Sequence, residues 1–383
     1  SNSSAAFVTT NSICQGQQAP ILWPLIFATG NEIAFAHTSF KWANLAAHKA
    51  GVTVAIVCIS TQTERKRRLY SLDEQGESIT REVENINAYL VAAPNITVAR
   101  EVKPLSELAP MVRGNMPVDG GNLLMTKAEV DALGLSEHQR EHFVRRIFGS
   151  KEFIHGLTRY VLWVEDEHLD DAMKIAPIRD RVEKVRANRL ASSDKGANQM
   201  ARRPHQMREM RIGARWTLAI PGISSENRPY LPCGIVDHHT TITNKVFALF
   251  DAPLWNMALI ASRLHLVWVA TVCSRLEMRF SYSNSIGWNT FPLPILSNDS
   301  KKSLIDSALS ILLARETYWP ASLAELYDPN RLDIEFPRLR EAHEHNDEVI
   351  ERIYIGRRFK NDTERLETLF KMYSAAAEKE PSK

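Results

Sequence analysis

Two stretches hold the residues best suited to chemistry. Gly222-Ile-Ser-Ser-Glu-Asn-Arg-Pro-Tyr230 and, further along, Cys273-Ser-Arg-Leu-Glu-Met-Arg-Phe-Ser-Tyr-Ser-Asn284 set guanidinium groups, carboxylates, hydroxyls and amides into otherwise apolar sequence. That mixture suits a surface that reads a polar polymer. Arg offers a planar fork to guanine edges or phosphate, Glu accepts from the cytosine amine, and Ser, Asn and Tyr bond to bases or backbone. The competing reading is that each charge is solvated or paired with a neighbour, and composition alone leaves both readings open.

The rest of the chain must position these clusters. At 383 residues and 44% hydrophobic content it can bury real cores, in two or three domains. The net charge of +2 does not announce a nucleic-acid partner, so any basic surface has to arise from uneven distribution. Residues 181–215 provide such a distribution, with ten Lys or Arg, among them Arg189, Arg202 and Arg203, against three acids. This is a candidate phosphate-tracking strip.

Cys14, Cys58, Cys233 and Cys273 are far apart and form no C-x-x-C pair. They read as buried thiols of a reduced, cytoplasmic protein. His238-His239 and His343-x-His345 lack partners at ligand spacing, so no metal site is expected, and Glu341, His343 and His345 read as helix surface. No apolar run approaches a membrane span. The chain starts without Met and enters a strand almost at once, so it reads as the back part of something longer.

Periodicity predicts a mixed α/β chain. Strands are expected at 5–10, 33–36 and 52–59, with a helix at 17–28 and a loop and short helix through 37–50. Arg65–Arg68 is a basic run, and 61–112 closes the first domain and connects onward. The Gly- and Pro-dense stretch 114–121 marks a boundary. Helices are expected at 126–133, with Thr126 and Glu129 as capping box, and at 136–147. A strand is expected at 158–164, a basic helix at 177–190, a mobile loop at 191–199 and a strand at 215–220. Beyond these come a strand or turn near 240–244 and one long helix at 254–272, with Trp255 and Trp268 in the core. Helices at 303–315, 322–326, 337–352 and 363–373 complete the chain.

The segments ISSENRPYLPCG and RLHLVWVATVCSRLEMRFSYSNSIGWNTFPLP resemble the target-recognition region of the MmeI-like family, type IIL adenine-specific DNA methyltransferases usually fused to a restriction nuclease. AAFVTTNSICQGQQAPILWPLI and IAFAHTSFKWANLAAHKAGVTVAIVCIS resemble the last strands of that family's class I methyltransferase sheet. The resemblance runs over nearly the whole chain. It implies three parts: 1–112 as the end of a methyltransferase domain with a connector, 113–297 as an α+β target-recognition domain, and 298–383 as a C-terminal helical bundle. The implied partner is double-stranded DNA.

No Gly-rich strand-to-helix turn and no Asn-Pro-Pro-aromatic motif is present. S-adenosylmethionine therefore belongs to the complete enzyme and is not expected to bind this chain, which carries no catalytic residues and is expected to be inactive by itself. An upstream methyltransferase or nuclease region or subunit is the implied companion. A non-catalytic specificity subunit serving a separate methyltransferase chain, or a degenerate structural remnant, are the other readings.

The resemblance also nominates residues. Phe40, with Trp42 in reserve, would stack on an extrahelical base, with plain packing at the sheet edge as the alternative. Lys151 and Arg159 become backbone contacts or structural salt bridges. Ser224, Ser225, Glu226, Asn227, Arg228 and Tyr230 form the reading loop, and Arg275 flanks the second cluster. In the family, Glu with Arg in the pattern R-L-[EK]-x-[RD] implies cytosine just after the modified adenine, and Lys with Asp implies guanine. Glu277 and Arg279 match the first form. Ser281 stands where many members have Arg, so its base stays unassigned.

Overall fold

The computed structural model describes residues 3–42, 53–61, 66–72 and 76–377. Five strands form the first sheet: β1 (Ser4–Thr10), β2 (Glu32–Lys41), β3 (Thr53–Ser60), β4 (Arg67–Leu72) and β5 (Ser78–Val83), in the order β1-β3-β2-β4-β5. β3 runs antiparallel to both β1 and β2, so those two are parallel and end at the same edge. The helix α1 (Gln18–Phe27) joins them and buries Trp23, whose indole donates to Ile13 O at 2.7 Å.

Two expectations are corrected here. The strand expected at 33–36 continues to Lys41, so Phe40 lies on β2 opposite Val54 and not in a loop. The short helix expected before residue 50 falls on residues 43–50, outside those described. The basic run continues as β4: Arg67 bonds the Glu32 carboxylate and Glu84 O, and Arg68 pairs in register with Glu82. Arg65 lies outside the described residues.

The connector beyond β5 passes through the interior. Ile86, Tyr89, Val91, Val98, Leu108 and Met111 are buried. This is possible because side chains satisfy its backbone: Asn87 Oδ1 accepts from Tyr89 N and Val91 N at 3.0 and 3.1 Å.

The middle of the chain forms three small sheets. One orders Gly234–Asp237, Trp216–Pro221, Val246–Phe250 and Val112–Arg113, all antiparallel. A second orders Thr240–Ile242, Val144–Phe148, Tyr160–Leu162 and Leu124–Met125. The third orders Ile223–Ser224, Arg279–Ser281 and Arg275–Leu276.

Local signals and tertiary demands compete along this region. Thr126 with Glu129 and Ser136 with Gln139 are complete capping boxes. The helix expected over 136–147 nevertheless stops at Phe143, because the β-branched and aromatic Val144–Phe148 is claimed by two neighbouring strands. The loop expected at 191–199 contains the helix Lys195–Met200, started by Asp194, whose carboxylate accepts from Gly196 N at 2.7 Å. The long helix expected over 254–272 is two, Trp255–Ile260 and Arg263–Val272. Ser262 starts the second by accepting from His265 N at 3.1 Å.

Of the C-terminal helices Asn298–Glu316, Leu323–Leu326, Leu332–Glu335, Pro337–Ile355 and Asp362–Ala377, the three long ones pack on that helix pair. Trp268 meets Phe370 and Tyr373 at ring separations of 5.2 and 5.9 Å, and Phe370 meets Tyr89 at 5.1 Å. One hydrophobic core therefore runs from Trp23 through Trp268 to Phe370, shared by residues from the start, middle and end of the chain. A separate core of Leu123, Phe143, Ile147, Val161, Ile178 and Val182 supports the second small sheet. All four cysteines are buried and unpaired. Among the described residues no helix is long and apolar enough to cross a membrane.

Candidate nucleic-acid interface

The fold brings the two polar clusters into one three-stranded sheet. Ile223 and Ser224 pair with Ser281 and Phe280, and Phe280 and Arg279 pair with Arg275 and Leu276 across a two-residue turn at Glu277-Met278. Gly222 permits the approach: a Cβ there would lie 2.9 Å from Lys245 O, which accepts from Gly222 N at the same distance.

Glu277 has φ +57°, a left-handed conformation in which a side chain costs roughly 1 kcal/mol and for which glycine is the usual choice. The surrounding hairpin holds this strain in place. The Glu277 carboxylate accepts from Arg279 Nη2 at 2.8 Å, with the side chains 76% and 47% exposed. The pair therefore stands at the tip of the hairpin, open to solvent.

Arg275 has a different place. Its Nη1 donates to Met278 O at 3.0 Å, its guanidinium lies 4.8 Å above the Phe280 ring, and burial holds its pKa below the ordinary range. It braces the hairpin from beneath and does not extend to the exposed tip.

The first cluster divides in the same way. Asn227 is exposed and Ser225, Glu226 and Arg228 are half-buried, on a turn in which Ser225 Oγ accepts from Asn227 N at 3.3 Å. Ser224 is buried, with Arg228 Nη1 donating to its hydroxyl at 3.4 Å. Tyr230 is 4% exposed and leaves the surface altogether. Its hydroxyl donates to Asp347 Oδ2 at 2.9 Å and its ring stacks on His343 at 4.0 Å. His343, expected on a surface, is fully buried between Tyr327 Oη and Ala261 O, whereas Glu341 and His345 are exposed. Tyr230 and Ser224 thus hold the loop in place from inside.

A cleft of about 640 Å³ opens beside the hairpin. Ser281 and Leu276 form one wall, and Lys151, Arg159, Asn244 and Lys245 the others. Lys151 and Lys245 are exposed, and Arg159 pairs with Glu152 at 3.3 Å while remaining 42% exposed. The backbone fixes this wall: Ser150 Oγ donates to Lys245 O at 2.6 Å. Lys245 and Asn244 escaped the sequence reading because a single Lys beside a single Asn forms no cluster. Only the turn carrying them to Ser281 reveals them.

Three members of the basic strip are engaged internally, while its other seven Lys and Arg are exposed. Arg189 is fully buried and donates to five carbonyls, those of Val118, Met200, Arg203, Pro117 and Gln206, at 2.6–3.1 Å. Burial lowers its pKa to about 10. Arg203 donates to Gln206 Oε1, Met207 O and Arg208 O, and Arg181 to Asn122 O and Glu129. Arg202 remains exposed. The phosphate-tracking reading is therefore withdrawn for Arg181, Arg189 and Arg203.

A second cleft of about 460 Å³ lies at the carboxyl edge of β1 and β2, where open α/β sheets commonly hold ligands. Asn11, Gln15, Thr38 and Ser39 face Glu226 and Arg275 across it. Phe40 packs edge-on against His37 at 4.8 Å and 6.3 Å from Trp42, which is 47% exposed. The strand-to-helix turn after β1 is covered by the reading region, Gly16 N donating to Val272 O at 3.0 Å.

Models of three domains of one family match in succession: the MmeI DNA-methyltransferase domain over residues 1–71, the MmeI target recognition domain over 92–295 and the MmeI C-terminal domain over 296–379. DNA methyltransferase A of Bacillus subtilis (strain 168) is 37% identical over 379 residues, which is 99% of this chain and 42% of that protein. The structure of the type IIL restriction-modification enzyme MmeI in complex with DNA superposes with a TM-score of 0.85 at 32% identity, covering 98% of this chain and 50% of that one. The chain thus spans half or less of the length of these relatives.

Proposed function

Because the chain belongs to the MmeI family, we propose that it is the DNA-reading portion, with the final strands of the methyltransferase sheet, of an adenine-specific DNA methyltransferase of a restriction-modification system. The observation that carries this reading is the hairpin Arg275–Ser281, which holds Glu277 in a left-handed conformation and sets Arg279 beside it in solvent. Glu277 would accept from the cytosine amine and Arg279 would reach the guanine across the pair. Lys151, Arg159 and Lys245 along the adjoining cleft would follow phosphates, and Ser281 and Asn244 would make short polar contacts to base edges.

The MmeI structure in complex with DNA supports duplex DNA as the partner. S-adenosylmethionine would be the methyl donor of the complete enzyme. Phe40 and Trp42 stand at the sheet edge where an extrahelical adenine would arrive, and Trp42 is the more exposed of the two.

Selection of bound sequences from a random duplex library, at two salt concentrations, tests this. An adenine-cytosine step in the selected motif, lost on Glu277→Lys with Arg279→Asp, is the expected result. Binding without any motif and steeply dependent on salt would reject a reading role.

A further inference from the structure

One carboxylate on the helix Pro337–Ile355 reaches both polar clusters. Asp347 is buried; its Oδ2 accepts from Tyr230 Oη at 2.9 Å and its Oδ1 from Arg263 N at 2.7 Å. Tyr230 closely follows the turn that carries Ser225–Arg228. Arg263 is the first residue of the helix Arg263–Val272, a rod of about 15 Å that leads into the hairpin Arg275–Ser281. The two oxygens of a single side chain therefore fix the two clusters relative to each other.

The C-terminal helices hold the same loop at a second point. Arg315 Nη1 donates to Cys233 O at 2.7 Å and its Nε to Tyr327 Oη at 2.9 Å. Tyr327 Oη lies 2.7 Å from His343 Nε2, and His343 Nδ1 lies 3.1 Å from Ala261 O. A carbonyl can only accept, so Nδ1 carries the proton, Nε2 accepts from Tyr327, and the Tyr327 oxygen is left to receive Arg315. Burial lowers the pKa of His343 and keeps it neutral, and its ring stacks on Tyr230. Each of these groups has its partner, so the segment 230–233 has one seating where an apolar contact would allow several.

We propose that Asp347 and Arg315 are positioning residues for sequence recognition: the C-terminal helices set the register between the turn at Ser225–Arg228 and the hairpin tip, so that the two address neighbouring base pairs of one duplex. This rests on the reading role proposed for those two elements. Asp347 is buried away from any duplex and acts through Tyr230 and through the helix Arg263–Val272.

Binding-site selection with the purified chain and its variants tests this. Tyr230→Phe keeps the ring stack and removes the bond to Asp347. It should retain the adenine-cytosine step and lose discrimination at one or more other positions of the motif by on the order of 10-fold, the weight of one base contact. Asp347→Ala frees both arms and should relax the adenine-cytosine step as well, while Asp347→Asn, able to accept one of the two bonds, should recover part. Glu351→Ala controls for stability alone. That buried carboxylate on the same helix accepts from Arg365 Nε and Phe359 N, both at 2.9 Å and both within the C-terminal region, so its loss should lower the melting temperature and leave the motif as in wild type. Melting curves verify that the variants fold, and Tyr230→Phe carries the test if Asp347→Ala does not. A wild-type motif unchanged in Tyr230→Phe, or altered equally by Glu351→Ala, overturns this inference alone. A wild-type chain that selects no motif removes the reading role and this inference with it.

Discussion

Thr53, the first residue of β3, donates its hydroxyl to the sulfur of Met278, 3.3 Å away at the turn of the hairpin Arg275–Ser281. The hairpin therefore rests on the carboxyl edge of the methyltransferase sheet while Glu277 and Arg279 face outward. In the full-length enzyme Met278→Ala should leave the selected sequence unchanged and slow methylation by between about 10- and 100-fold, because small misplacements of a reacting group carry penalties of that order. A single-turnover assay beside a binding-site selection decides it. A changed motif with unchanged rate would show that the contact serves reading and not alignment.

Glycine at position 277 separates stability from reading. Glu277→Gly should raise stability by roughly 1 kcal/mol by relieving the left-handed strain. It should also lower discrimination at the neighbouring base pair by the 1–3 kcal/mol or so typical of one base contact. Urea denaturation and competition binding measure the two effects, and a loss of stability would contradict the strain argument.

Arg189 is predicted to be structural. Truncation to Ala leaves five carbonyls without their shared donor, so a loss of about 3–5 kcal/mol is expected, as when one partner of a buried charged network is removed. Arg189→Lys should recover part of it. The salt dependence of DNA binding should be the same in Arg189→Lys and wild type; a shallower slope would return Arg189 to the phosphate contacts.

Lys151→Ala and Lys245→Ala should each reduce the slope of log K against log salt by about 1, uniformly across sequences, the signature of one phosphate contact. Arg203→Ala should not. An unchanged slope in both lysine variants would remove the cleft from the interface.

Stability should respond to pH through two buried groups of opposite sign. Burial raises the Asp347 carboxyl to about 6, against 3.8 for an ordinary aspartate. Its contribution is complete below pH 4 and lost as pH rises through 6, a difference of about 3 kcal/mol at neutrality. Burial lowers His265 to about 3, so its contribution is complete above pH 6.5 and lost as pH falls. Between pH 4 and 6 the two slopes oppose each other, so Asp347→Asn should unmask a rise of stability with pH across that range, the limb set by His265. Chemical denaturation across that range is the measurement, and an unaltered profile in the variant would place the dependence elsewhere.

Local patterns were readable where local physics decides. The capping box at Thr126, the strand at 215–220 and the core tryptophans all follow from neighbouring residues. The two polar clusters were recognisable by composition, and their meeting in one sheet accords with that. Tyr230 was misread because the carboxylate that accepts its hydrogen bond lies on the helix Pro337–Ile355, far along the chain. Arg189 was misread because its acceptors are backbone carbonyls, which every sequence contains. The strand Val144–Phe148 was hidden because a helical period continued into it until its partners claimed the backbone. Asn244 and Lys245 could be found only from three-dimensional proximity to Ser281.

The continuous core from Trp23 to Phe370 bears on how such proteins diversify. Exchanging whole recognition regions between relatives would break Trp268, Tyr89 and Phe370 apart and leave mismatched halves of one interior. The hairpin closes through its own hydrogen bonds and exposes Glu277 and Arg279, so their replacement disturbs no packing. On the proposed reading role, paired substitution at the tip would change the target while leaving this shared interior intact, which exchange of a whole region would not.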